Sequence, residues 1–162
     1  MASDFTPAQL EKLTGIYTTV YEKFYKADDP NEREEDPTAH FDFDVEGSNV
    51  QDTDANDLRS AALKSLQTKY PNLTVSFTLP VLPTGLTGPG VDVVASALEA
   101  GVNVGGVNIM TMDYGDSAAP MGKGKSMGDY SIDAATSTYD QMVTLFKQRE
   151  NFSVSHQAFE PR

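Results

Sequence analysis

The chain has 162 residues, no cysteine, and 12 lysines and arginines against 24 aspartates and glutamates, a formal net charge of −12. That acidity argues against nucleic acid or an anionic membrane as partner, because both are held by basic surfaces, and the missing cysteines exclude disulfides and thiolate chemistry. The length suits one domain over 1–162 but falls short of the roughly 200 residues or more of a closed eight-stranded βα barrel.

The N-terminus, MASDFTPAQLEK, has neither the basic nor the apolar region of a signal peptide. Thr6, Pro7 and Gln9 read as N-cap, first helical residue and capping box. Leu10, Leu13, Tyr17, Val20, Tyr21 and Phe24 then recur at helical spacing, which predicts a helix over 7–26. The charged stretch 27–38, with two prolines and no periodicity, reads as an acidic connector. Residues 40–46 alternate with period two, Phe41, Phe43 and Val45 on one face and Asp42, Asp44 and Glu46 on the other, which predicts a strand. A second helix follows over 54–70, with Leu58, Ala61, Ala62 and Leu66 as its apolar stripe.

Residues 73–79 alternate again and predict a second strand, and 80–90 read as a Pro- and Gly-rich loop. A short helix over 91–100 stops at Gly101, a third strand covers 107–113, and a Gly-rich loop spans 114–130. The last helix is predicted over 131–149, with Ala135, Tyr139, Met142, Val143 and Phe146 inward, and the tail 150–162 is unassigned. Strands separated by helices should pair in parallel. No stretch approaches the ~18 apolar residues of a membrane span, and His40 and His156 form no metal-ligand spacing.

Asp42, Asp44 and Glu46 are the strongest chemical feature. Alternate residues of a strand stand about 6–7 Å apart on one face. Three carboxyls so close cannot all ionise freely, and one of them should hold its proton more tightly. Such a group can protonate a glycosidic oxygen. Read without their surroundings, the three carboxylates equally fit a solvated strand face.

The surroundings resemble family 18 glycoside hydrolases, the chitinase type. Their fourth barrel strand carries D-G-x-D-x-D-x-E, and residues 39–46 here read Ala-His-Phe-Asp-Phe-Asp-Val-Glu. Ala39 and His40 replace the leading Asp-Gly, as in a bacterial branch reading T-H-I-D-F-D-I-E-G, and Gly47 follows as it does there. YPNLTVSFTLPVLPTGLT (70–87) and VNIMTMDYGDSAAP (107–120) resemble the fifth and sixth strands, with the M-x-Y-D motif matched at Met110 and Asp113. Met112 stands where most of the family has a tyrosine that bonds the substrate acetamide, and Tyr114 is the nearest hydroxyl.

The resemblance implies an α/β fold, a partial (β/α)8 TIM barrel of about three parallel strands, matching strands four to six, with flanking helices. It implies retaining, substrate-assisted cleavage of β-1,4 bonds between N-acetylglucosamine units, in chitin or chitooligosaccharides, with no metal or other cofactor. Glu46 would be the proton donor, Asp44 would orient the acetamide, and Asp42 would hold Asp44 and share its proton. Met110, Met112, Asp113 and Tyr114 would line the sugar site. The other barrel strands find no match, and the chain has no tryptophan to floor a sugar. Self-association or a partner chain completing the barrel is therefore expected. The alternative is a non-catalytic half-barrel kept for assembly or weak carbohydrate binding. Gly124-Lys125-Ser126 is no phosphate loop, because the motif needs glycine where Ala119 stands. The sequons at Asn72 and Asn151 are read as chance.

Overall fold

The computed structural model describes residues 5–25, 39–120 and 124–150, so the connector 27–38 and the tail beyond 150 lie outside the described residues. Two compact units result, each described by itself: residues up to 80 with 87–110, and 81–86 with the residues from 111 on.

In the first unit, helix α1 runs Pro7–Tyr25. Its start is the expected capping box, Thr6 N–H donating to Gln9 Oε1 at 2.8 Å and Gln9 N–H to Thr6 Oγ1 at 3.3 Å. The helix buries Tyr21, whose ring stacks on Tyr70 with centroids 3.9 Å apart. Tyr17 reaches Phe43 edge-on at 5.4 Å and Phe41 at 6.5 Å. The predicted stripe is narrower than expected: Val20 and Phe24 are exposed, with Ile16 beside them. With Tyr17, Tyr25, Phe41 and Phe43 they line an open groove of about 380 Å³ along strand β1 (His40–Asp44). Tyr21 and Tyr17 already fill the contact with the sheet, so the helix cannot also turn Phe24 inward.

A short 3-10 turn, Gly47–Gln51, follows β1 and was not legible in the pattern. Helix α2 is Thr53–Lys69, capped by Asp52, whose carboxylate accepts from Ala55 N–H at 3.0 Å. Strand β2, Thr74–Leu82, pairs with β1 in parallel, and β4, Val104–Met110, pairs with the other side of β2, also in parallel. Helix α3, Gly88–Glu99, lies between β2 and β4 in sequence. The parallel pairing expected of the three strands is therefore observed, in a mixed α/β unit. Val75, Phe77 and Leu79 of β2 are at most 1% exposed, and with Leu63 and Leu66 of α2 and Val93 and Val94 of α3 they form the core. The buried Gln67 side chain bonds Leu73 O and Asn103 O at 3.0 Å each and accepts from Asn103 N–H at 2.8 Å, tying the starts of β2 and β4 to α2.

Several boundaries move. β4 begins three residues before the predicted 107, because Val104 and Gly106 already pair with Val75 and Ser76, and it ends at Met110, short of Asp113 with its left-handed φ of 53°. Between Val75 and Ser76 the register slips: Val75 faces Val104, Ser76 faces Gly106, and Gly105 has no opposite number. α3 starts before 91, with Thr87 as cap and Pro89 in its first turn.

In the second unit, part of the predicted loop 80–90 is a hairpin. The end of β2 pairs antiparallel with β3, Gly85–Leu86, joining the buried Val81 and Leu86. Gly85 adopts φ 97°. Helix α4 runs Met127–Glu150 and starts on a second capping box, in which Ser126 N–H donates to Asp129 Oδ2 at 2.7 Å and Asp129 N–H to Ser126 Oγ at 3.2 Å. The predicted inward face is rotated in part: Ala135, Tyr139 and Phe146 are exposed and Met142 and Val143 are half-buried, whereas Tyr130, Ala134, Thr138 and Leu145 are buried. Polar anchors set that rotation. Gln141 accepts from Leu86 N–H at 2.8 Å and donates to Leu86 O at 2.9 Å, and Ser137 donates to Pro83 O at 3.2 Å.

Candidate active site

Alternation on β1 puts His40, Asp42 and Asp44 on the face opposite Phe41 and Phe43, and parallel register sets Thr74, Ser76 and Thr78 of β2 level with them. Asn108 of β4 is level with Thr78. These side chains converge on Asp42. Ser76 Oγ donates to Asp42 Oδ1 in a short contact, Thr78 Oγ1 donates to Oδ2 at 2.6 Å, and Asn108 Nδ2 donates to Oδ1 at 2.9 Å and to Thr78 Oγ1 at 3.3 Å.

Partial burial pushes the Asp42 carboxyl up, but hydrogen bonds from Ser76, Thr78 and Asn108, together with the nearby His40, outweigh it and hold Asp42 below the ordinary carboxylate range. Asp42 is thus not the member of the trio that holds its proton more tightly. Among the described residues, the Asp44 and Glu46 side chains carry no hydrogen bond or ion pair, and both are exposed.

β1 ends at Asp44, so Glu46 lies just past the strand and not within it as the alternation predicts. Val45 N–H still donates to Thr78 O at 3.0 Å, and Glu46 is extended at φ −138°. The chain then turns through Gly47 at φ 61° into the 3-10 segment, where Asn49 N–H donates to Glu46 O at 3.2 Å. Buried Val50 anchors that segment, and Asn56 Nδ2 of α2 donates to Val50 O at 3.1 Å. Glu46 therefore sits on a braced turn at the C-terminal end of β1.

Met110 closes β4, level with Pro80. Met112, Asp113 and Tyr114 belong to the second unit: Met112 is 55% exposed, Asp113 is exposed in its left-handed conformation, and Tyr114 is buried, its hydroxyl without a partner among the described residues. Sequence reasoning passed over His40. Its position two residues before Asp42, on the same face, is the signal that would have found it. Among the described residues, no group of three His, Cys, Asp or Glu is placed to hold a metal ion, and no helix is long and apolar enough to cross a membrane.

Comparison with known proteins points one way. Over 80 residues, 47% of the chain, it is 44% identical to a probable bifunctional chitinase/lysozyme of Escherichia coli strain K12 and 42% identical to endochitinase 11 of Metarhizium anisopliae. The catalytic domain of a hyperthermophilic chitinase from Pyrococcus furiosus superposes with a TM-score of 0.64 over 86% of the chain, at 26% identity. The chain resembles part of a family 18, chitinase-type glycoside hydrolase. A second chitinase structure from Pyrococcus furiosus, a catalytic-site mutant of active domain 2 complexed with chito-oligosaccharides, gives a TM-score of 0.62 at 25% identity. No protein-family model matches the chain. The chain spans 9% and 15% of the two curated chitinases and 38% of the chitinase structures.

Proposed function

We propose that the polar face of β1 is the acid–base apparatus of a chitinase-type glycoside hydrolase acting on β-1,4-linked N-acetylglucosamine chains. The three parallel strands are, on this reading, strands four to six of a (β/α)8 barrel. One observation carries it. Asp42 is pinned as an anion by three donors, while Asp44 and Glu46 stand exposed at the C-terminal end of the strand, where βα barrels keep their catalytic groups.

Glu46 protonates the leaving glycosidic oxygen while the substrate's own acetamide oxygen closes on the anomeric carbon, a substrate-assisted variant of retaining hydrolysis. Asp44 orients the acetamide and balances the positive charge that grows on the resulting oxazolinium ring. Asp42, held ionised one step deeper, supports Asp44 with its fixed negative charge. Met110, Met112, Asp113 and Tyr114 contribute to the sugar-binding floor.

The test is hydrolysis of a chitooligosaccharide by the chain and by Glu46→Gln, which keeps the shape but has no proton to transfer. The substitution should slow turnover on the order of 10²-fold or more, and hydrolysis that survives it unchanged sinks the mechanism. Completion of the barrel by a second copy or a partner chain belongs to the same proposal. Among the described residues, β1 and β4 each pair on one side only, and unpaired edges invite pairing. Light scattering at micromolar concentration should therefore report a dimer or larger, and a stable folded monomer would contradict it. A second reading, a non-catalytic half-barrel that binds sugar weakly, is separated by the hydrolysis assay. It predicts no turnover in any variant.

A further inference from the structure

Proton counting on the polar face leads past the carboxylates. Ser76 is 3% exposed and has one hydrogen to give. It gives that hydrogen to Asp42 Oδ1, because a carboxylate only accepts. His40 Nε2 lies 2.8 Å from the same Ser76 Oγ, so this ring nitrogen must carry a hydrogen and donate it. On the other side of the ring, Nδ1 lies 2.8 Å from Thr74 Oγ1, whose hydroxyl donates to Ala39 O at 3.0 Å. With Thr74 turned that way, Nδ1 donates as well and the ring is an imidazolium.

Loss of one proton has a single economical outcome. Thr74 swings its hydrogen from Ala39 O to Nδ1, and Ala39 O keeps the Thr74 N–H at 3.0 Å. Ser76 has no such freedom while Asp42 is ionised. We propose that His40 is a positioning residue for the acidic face: its Nε2–H, kept in both charge states, holds the Ser76 hydroxyl turned onto Asp42, and Thr74 is the part that switches.

The groups around the ring fit this assignment. Asp42 and Asp44 share its strand, and Tyr25 of α1 donates its hydroxyl to His40 O at 2.8 Å. Neither β2 nor β4 brings a titratable side chain. The consequence for turnover rests on the hydrolase reading; the proton arrangement does not.

Two measurements on the full chain test it without substrate, so a chain that hydrolyses nothing still decides the matter. In the first, ¹⁵N-labelled histidine is titrated by NMR across roughly pH 5 to 8, the range in which histidine changes charge, with His156→Gln leaving one histidine. The neutral ring should be the Nε2–H form, with Nδ1 the nitrogen that loses its proton. A dominant Nδ1–H form, or an even mixture, overturns the proposal. In the second, the Asp42 carboxyl ¹³C signal is titrated in the unmutated chain and in Ser76→Ala, His40→Leu and His40→Gln. The midpoint should move upward in the first two variants, and the amide donor of His40→Gln should restore part of the difference. An Asp42 midpoint unmoved by His40→Leu overturns the proposal. Should a variant fail to fold, the histidine titration decides alone.

Discussion

Asp42 shows what three donors do to one carboxylate. Its native pKa is lowered, so across the window between the lowered value and the ordinary one near 3.9 the unfolded chain binds more protons than the native one. Its contribution to stability is therefore complete above about pH 4 and is lost as pH falls through the lowered native value. Asp42→Asn should flatten the acid limb of a urea-midpoint titration between roughly pH 6 and 2, and an acid limb as steep as before would contradict the assignment. Asp42→Ala is the harsher change. It leaves the buried Ser76 hydroxyl without its acceptor, at a cost of about 1–3 kcal/mol in chemical denaturation.

Among the elements, β2 bears the most weight, paired on both sides with its apolar face closed. Phe77→Ala should cost about 3–5 kcal/mol, read as a fall in the denaturant midpoint at unchanged slope. The hairpin of the second unit depends on Gly85, where φ is 97° and an added Cβ would run into the Gln141 side chain and lie 3.2 Å from the Ser137 backbone. Gly85→Ala should destabilise by about 1 kcal/mol or more, with amide exchange rising first at Leu86.

Strand identity was legible in the sequence because a half-buried strand writes its period into the residues: Phe41 and Phe43 against Asp42 and Asp44. The parallel order followed from the helical spacers. The rotation of α4 was not legible, since Gln141 and Ser137 set it through contacts with a hairpin that a Pro- and Gly-rich stretch conceals. The carboxylates of the candidate site stand out in the sequence by type and spacing. The part played by His40 was not legible, because it depends on which hydroxyls already have their hydrogens committed on the neighbouring strand.

For the molecule as a whole, the net charge of −12 sets the terms of any self-association. Like copies repel, and the groove beside β1 is lined mainly by apolar side chains, including the exposed Ile16, Val20 and Phe24. Association through it should strengthen as salt rises from about 0.01 to 0.15 M, because the screening length falls from about 30 to 8 Å. Val20→Glu should weaken it at every salt concentration, by sedimentation velocity. Association that weakens with salt would point to ion pairs instead of this groove.

The unmatched residue in β4 has a consequence for how this sequence can vary. Side chains on a strand change sides at every step, so a one-residue slip exchanges the two faces. Gly105 stands opposite nothing, and were it paired with Ser76 instead, Asn108 would fall level with Leu79, toward the core, and no longer beside Thr78 and Asp42. The glycine itself is dispensable: a Cβ there would meet Val75 O at 3.6 Å and Thr74 Cβ at 3.8 Å, ordinary contacts. What matters is that residue 105 stays out of the ladder. Alanine at 105 should be silent, and deleting the residue should close the bulge while Val104 stays opposite Val75 and Asn108 opposite Thr78, so the strand should lose this residue without moving Asp42's third donor.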